Sequence, residues 1–137
     1  MTNRGRQEGE YGEFDAMVDA YDGQTHWFDQ GYHATFRFWR TSKPKRGDHP
    51  YRYELVLHDP GGRRIMGYDN AHPVKWRSGE FTKHGDNADH YHRTKSDQGR
   101  PYKFVSLTQL FEDFYRRVEK ALGELNVPTD ITHTTGT

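Results

Sequence analysis

The chain contains no cysteine, which excludes both a disulfide framework and a thiolate metal site. It also lacks any apolar run approaching the roughly 20 residues that a membrane-spanning helix requires. Its first ten residues are polar and charged, unlike the apolar stretch of a signal peptide. From these absences we expect a cytoplasmic protein that makes no membrane contact.

Apolar residues are scarce, at 31% of 137 residues, whereas Trp, Tyr and Phe number 3, 9 and 8. A chain of this length can bury one modest core, and we expect aromatic side chains to build it as much as aliphatic ones. We predict a single domain over residues 11–127. Polar, flexible tails are expected at residues 1–10 and 128–137.

The net charge of zero conceals a strong segregation of charge, because residues 37–46 contain five cations and no acid. A second basic stretch covers residues 63–77. Such runs are usually an ordinary solvated surface, and that interpretation stays open. The alternative is a groove for a phosphate backbone with aromatic rings for stacking. Its expected nucleic-acid-binding residues are Arg37, Arg40, Lys43, Lys45, Arg46, Arg63, Arg64, Lys75, Trp76 and Arg77.

Alternating apolar residues predict half-buried strands over residues 31–40 and 51–57. The turn-forming residues from His58 to Gly62 predict a hairpin turn into a third strand over 63–68. A short fourth strand is expected over 101–105. A helical stripe begins at Leu107, with Ser106 and Gln109 as a capping box. The pattern predicts an α+β fold, an antiparallel meander of three to four strands with a C-terminal amphipathic helix packed on one face.

Four short strings stand in a recognisable order between about residues 30 and 122. They are Tyr51-Arg52-Tyr53-Glu54-Leu55, Gly67-Tyr68-Asp69-Asn70, Asp89-His90-Tyr91-His92, and the run from Pro101 to Leu107 that leads to Asp113-Phe114. In content and order they resemble the TumE family of prokaryotic toxins. The resemblance implies a toxin encoded beside a helix-turn-helix antitoxin of the TumA type, which would neutralise it by direct binding.

Periodicity disappears between residues 69 and 100, in a stretch that contains several of the chain's nine histidines. Histidine transfers protons near neutral pH, and cleavage of RNA without a metal needs a base, an acid and a cation. If this stretch is extended, His90 and His92 point to the same face, roughly 7 Å apart. The expected catalytic residues are His90, His92, Asp69, His72, Arg93 and Asp89.

An in-line reaction places base and acid on opposite sides of the phosphorus, so one partner could instead be His72, His58 or Tyr53. Either Asp69 or Asp89 would then orient an imidazole. We expect Glu54 to form an ion pair with Arg63 or Arg52, outside the catalytic set.

Two other interpretations of the same residues stay open. No cofactor is expected, but a divalent metal would suit a site of His72, Asp89, His90 and His92. Alternatively, Asp69-Asn70 makes a turn and the histidines lie on a solvated loop.

The working hypothesis is a toxin that acts on RNA or translation, as an endoribonuclease with His/Asp acid-base chemistry. The alternatives are a non-catalytic nucleic-acid- or protein-binding module and a metal-dependent hydrolase that uses the His-x-His loop. The antitoxin and RNA are the expected partners, and homodimer formation is left open.

Overall fold

The structure, a computed structural model, describes residues 12, 14–41, 50–70, 89–94 and 99–136. Within these residues seven strands form one antiparallel sheet in the order β6-β5-β4-β3-β2-β1-β7. The elements are helix α1 over 14–21, β1 Thr25–Trp27, a 3₁₀ helix Asp29–Gly31, β2 His33–Arg40, β3 Tyr51–His58, β4 Arg64–Asp69, β5 His90–His92, β6 Arg100–Pro101, helix α2 Leu107–Glu124 and β7 His133–Thr135.

The antiparallel arrangement and the C-terminal helix are confirmed, since β2, β3 and β4 are consecutive neighbours in the sheet. The predicted count of three to four strands is wrong. The strand expected over 101–105 is found only as the two-residue β6, and the additional strands are β1, β5 and β7, each of three residues. Strands this short carry too few residues to show an alternating pattern.

The last strand, β7, lies within the segment 128–137 that the composition predicts to be a flexible tail. It pairs with β1 in the register Thr25 to Thr135 and Trp27 to His133. The Trp27 indole Nε1 donates to Thr135 Oγ1 at 2.9 Å. All three residues of β7 are exposed, so backbone pairing holds the strand without apolar burial. The other predicted tail, residues 1–10, lies outside the described residues.

One face of the sheet carries the core. Phe36 on β2 and Leu55 on β3 are fully buried, as are their neighbours two residues away along each strand. Helix α2 covers this face with residues spaced three or four apart, namely Leu107, Leu110, Phe114, Val118 and Leu122. Aromatic rings fill the layer between sheet and helix, as expected. The ring centroids of Phe36 and Phe111, for example, are 5.4 Å apart.

Helix α1 packs on the same face, because Phe14 stacks on Tyr51 at 4.5 Å and Tyr21 contacts Phe111 at 4.8 Å. Both described helices therefore lie on one side of the sheet. Among the described residues, no helix of α1 or α2 type covers the opposite face, which is called the open face below.

The start of α2 follows the predicted cap in part. Ser106 Oγ accepts from the Gln109 backbone N–H at 3.1 Å. The Gln109 side chain donates to Asp113 Oδ1 at 2.9 Å, one turn further along the helix. In the part of the chain that the structure covers, no helix combines the length and the apolar character of a membrane span.

Candidate functional site

Strand pairing brings polar residues from four segments together on the open face. On β2 to β5 the side chains that point away from the helices fall into rows across the sheet. One row is Arg37, Glu54, Asp69 and His90, the next is Thr35, Val56, Gly67 and His92, and the third is His33, His58 and Arg64.

These rows surround a cavity of about 440 Å³, called the open-face pocket below. Gly67 lies between Val56 and His92 and has no side chain, so it leaves a gap in its row. A Cβ atom at Gly67 would lie 2.9 Å from the Leu55 carbonyl oxygen, closer than real Cβ atoms come. The lining residues are Thr35, Glu54, Val56, His58, Arg64, Gly67, Tyr68, Asp69, His90 and His92.

The predicted pair of histidines forms one wall of this pocket. His90 and His92 are 1% and 7% exposed, and their rings meet at right angles with centroids 4.9 Å apart. Their expected placement on one face is confirmed by the register with Asp69 and Gly67. Asp69 Oδ2 lies 3.9 Å from His90 Nε2, so the two would form an ion pair when the ring is protonated.

His58 lies on the opposite side of the pocket. Its Nδ1 is 3.2 Å from the Gly62 carbonyl oxygen, and because a carbonyl only accepts, Nδ1 carries the hydrogen. In the neutral ring Nε2 then has a lone pair, which accepts from Thr35 Oγ1 at 2.9 Å. Burial lowers the pKa of His58 below its ordinary value, although the Gly62 carbonyl opposes the shift. The ring is therefore a neutral base at neutral pH.

A row of stacked rings fixes the orientation of His58. It starts at His133 on β7, continues through Trp27 and His33, and ends at His58, with centroids 5.7, 4.4 and 4.9 Å apart. The His33 Nδ1 atom is held in turn by the Gly31 carbonyl at 2.9 Å. Rings stacked side by side restrict one another's rotation, so His58 keeps its Nε2 directed at Thr35.

The pocket also contains charged groups that the sequence assigned elsewhere. Glu54 forms its ion pair with Arg37 at 3.8 Å, and not with Arg63 or Arg52 as expected. The reason is the sheet register, which places Arg37 of β2 directly opposite Glu54. Arg64, expected to bind nucleic acid, lines the pocket, and Glu54 and Asp69 are cross-strand neighbours within it.

Two of the expected catalytic residues do not line this pocket. Asp89 Oδ1 accepts from the Tyr53 hydroxyl at 2.8 Å, and Tyr53 is fully buried on the helix side of the sheet. Burial raises the pKa of Tyr53 well above its ordinary value, so the hydroxyl remains a donor. Arg93, in the bend that follows β5, lines a cavity beside α2.

The remaining expected nucleic-acid-binding residues divide into two groups. Arg40 donates to Asp15 at 3.0 Å, and Arg63 is exposed in the turn between β3 and β4. The others lie outside the described residues, as does the catalytic candidate His72; they are Lys43, Lys45, Arg46, Lys75, Trp76 and Arg77.

The expected metal set of His72, Asp89, His90 and His92 is therefore described only in part. Among the described residues, no group of three or more His, Asp or Glu side chains is arranged to hold a metal ion. Asp89 and His90 also bond on opposite sides of the sheet, since Asp89 contacts Tyr53 while His90 lines the pocket.

Asn70 anchors the end of β4 and so positions Asp69. It is 1% exposed, its Oδ1 accepts from the Tyr53 N–H at 2.9 Å, and its Nδ2 donates to the Tyr51 carbonyl at 2.8 Å. The amide therefore extends the hydrogen bonding between β3 and β4 past Asp69. These bonds join two strands, so they differ from the local turn expected as one interpretation of Asp69-Asn70, and Asp69 itself lies in β4.

Comparison with known proteins gives a match to one protein family. No curated protein and no solved structure matches the chain. The family model described as Toxin TumE matches residues 19–122, which include β1 to β6 and most of α2. The match leaves out β7, so the strand that contributes His133 to the ring row lies beyond the family pattern. With a match over most of its length, the chain belongs to the TumE family of toxins.

Proposed function

We propose that this protein is the toxin of a toxin–antitoxin pair and that it cleaves RNA in the open-face pocket. Membership of a toxin family supports the first part and implies an antitoxin partner. For that partner we propose a helix-turn-helix protein of the TumA type. The second part is supported by the chemistry of the residues that line the pocket.

One observation carries the cleavage proposal: His58 and the pair His90 and His92 lie on opposite sides of the gap above Gly67. Strands β3 and β5 are two strand spacings apart, or about 10 Å, and His92 lies one row and His90 two rows along the sheet from His58, at about 7 Å a row. A phosphate group bound above Gly67 would have His58 on one side and the pair on the other. In-line attack at phosphorus requires this arrangement of base and acid.

The reaction can be written with residues already in place. His58 Nε2 takes the proton of the ribose 2′-hydroxyl, and the 2′-oxygen attacks the adjacent phosphorus. The bond from phosphorus to the 5′-oxygen breaks, and that oxygen receives a proton from one ring of the pair His90 and His92, of which His92 is nearer to His58 by one row. The products are a 2′,3′-cyclic phosphate and a 5′-hydroxyl end, and water is not consumed.

The surrounding groups fit these roles. Thr35 Oγ1 occupies the position at His58 Nε2 that the substrate hydroxyl would take. Asp69 Oδ2 lies 3.9 Å from His90 Nε2, on the side of the pair where a carboxylate can orient the ring. Arg64 is the pocket cation that would balance the charge of the phosphorane, the role expected of Arg93 from the sequence.

Expression from a tightly controlled bacterial promoter tests the proposal. The wild type should arrest growth and produce RNA fragments with 5′-hydroxyl ends. The variant His90→Ala/His92→Ala should do neither, because it lacks the pocket wall that supplies the acid. Lys103→Ala removes an exposed cation outside the pocket and should behave as the wild type does.

The double variant should be purified and compared with the wild type by circular dichroism, so that loss of the fold is detected separately. Arrest that persists in a folded double variant would contradict catalysis at this wall. Cleavage by the purified wild type in the presence of a chelator is expected. Its loss there would favour the metal-dependent alternative, and arrest with intact RNA would favour the binding alternative.

A further inference from the structure

A second polar surface lies on the helix side of the sheet, where α2 crosses β4 and β5. Two adjoining cavities there, of about 300 and 380 Å³, both include Arg117 and Lys120 in their lining. Arg93 lines the first cavity and Arg116 the second, and the carboxylates of the two are Glu124 and Asp113. This helix groove therefore has more cations than anions and suits a negatively charged ligand.

The carboxylate inside the groove is already engaged. Asp113 accepts from the Tyr102 hydroxyl at 2.6 Å, from Gln109 Nε2 at 2.9 Å and from Arg116 at 3.5 Å. The Tyr102 and Gln109 donors fix the position of the carboxylate, and Arg116 offsets part of its charge. Arg93, Arg117 and Lys120 then face Glu124 as the remaining charged groups of the groove.

The Arg117 guanidinium is held in position by two tyrosines. Its Nε donates to the Tyr68 hydroxyl at 3.0 Å, and its guanidinium carbon lies 4.7 Å from the centroid of the Tyr91 ring. Within the described part of the chain, its terminal nitrogens donate to no protein group. A guanidinium fixed at Nε and stacked on a ring presents the remaining N–H groups in the geometry that binds a phosphate through two hydrogen bonds.

The helix groove begins one residue from the open-face pocket. His92 lines the pocket, whereas Arg93 and Thr94, which follow it, line the first cavity of the groove. The two surfaces are therefore one residue apart at the end of β5.

We propose that the helix groove binds the phosphate backbone of an RNA strand whose cleaved phosphate lies in the open-face pocket, an inference that rests on the proposed function. Arg117 and Tyr68 already contact the Tyr91 ring, so the groove offers donors more than free ring faces. It therefore binds phosphates and not bases, and its affinity for RNA is independent of sequence.

Binding of a fluorescein-labelled 2′-O-methyl RNA of about 12 nucleotides tests the groove directly. This probe lacks the attacking hydroxyl, so the intact protein can be used without cleavage. Lys120→Glu and Arg117→Gln should each weaken binding roughly tenfold or more, measured by fluorescence anisotropy. Each should also lower the slope of log affinity against log salt by about 0.7.

Lys103→Ala, which removes an exposed cation outside the groove, should bind as the wild type does, and two RNA sequences should bind alike. Lys120 is itself exposed, so its variant keeps the folded core even if Arg117→Gln does not. Equal binding by wild type and Lys120→Glu, with an unchanged salt slope, would overturn the proposal. So would capture of a poly-glutamate peptide by a protein that fails to bind the RNA, which would assign the groove to an acidic protein partner.

The two proposals fail differently. RNA that binds through the groove but is never cleaved by the wild type supports the groove and removes the nuclease. Full cleavage of unmodified RNA by Lys120→Glu and Arg117→Gln, with unchanged affinity, removes the groove and leaves the nuclease.

Discussion

Replacing His58 with glutamine should lower the rate of RNA cleavage by roughly 10²- to 10⁴-fold, the usual contribution of a general base. Glutamine can still donate to the Gly62 carbonyl and accept from Thr35, so it preserves the hydrogen bonds of His58 but cannot take the proton. The rate should be measured with purified protein and excess enzyme, so that the chemical step is observed.

The pH dependence of the cleavage rate tests the role of His58 in a second way. Burial lowers the pKa of His58, so the base form is present above a value that lies below the ordinary 6.5. On the acid side, the wild-type rate should therefore fall as the pH drops through that lowered pKa. The glutamine variant should lose this acid limb, whereas Lys103→Ala, altered outside the pocket, should retain it.

A His58→Gln variant that cleaves within a few fold of the wild type would contradict the assigned role. So would an acid limb that is unchanged in that variant. Either result would leave the pocket intact as a site but would require another base.

Replacing Asn70 with alanine should lower the free energy of unfolding by about 2–4 kcal/mol. The substitution leaves the Tyr53 N–H buried without its acceptor and removes a donor from the Tyr51 carbonyl. Arg52 also donates to that carbonyl at 3.1 Å, which limits the second part of the loss. Urea unfolding followed by tryptophan fluorescence would measure the change.

The matched variant Asn70→Asp separates the two hydrogen bonds. Its carboxylate can still accept from the Tyr53 N–H but faces the Tyr51 carbonyl with an acceptor in place of a donor. It should be destabilised at neutral pH and recover part of its stability at acid pH, where the protonated carboxyl donates. If alanine costs less than about 0.5 kcal/mol, the range of ordinary surface substitutions, the anchoring role of Asn70 is wrong.

The central strands and α2 were predictable because each is long enough to show its period. The alternation of Phe36 and Phe38 on β2 and the stripe from Leu107 to Leu122 on α2 both reflect burial against a single partner layer. Ser106 was likewise recognisable as a cap, since an N-cap is a local feature of sequence.

The sequence indicated the residue types of the pocket better than their arrangement. His90 and His92 follow from a two-residue spacing on an extended segment, whereas Asp69, His58 and Arg64 join them through the pairing of β3, β4 and β5. Arg93, in the bend that follows β5, lines a cavity on the helix side instead. Composition along one segment identifies candidate chemistry, and the sheet register decides which candidates share a site.

The strand β7 could not be predicted from the sequence for a different reason. Its three residues are polar and exposed, so no burial pattern distinguishes them from a tail. What holds them is hydrogen bonding to the edge of β1 and the contact of His133 with Trp27. Both interactions depend on where the chain returns in space, which a local pattern does not encode.

The central claim is that an RNA phosphate binds between His58 and the pair His90 and His92. Titration of the protein with a 2′-O-methyl dinucleotide, followed by NMR of the histidine ring signals, tests it most directly. We predict that the signals of His58, His90 and His92 shift together and give one dissociation constant for the dinucleotide. The signal of His26, which is buried beneath the helices, should not shift. Shifts confined to His133, or none among the three pocket histidines, would contradict it.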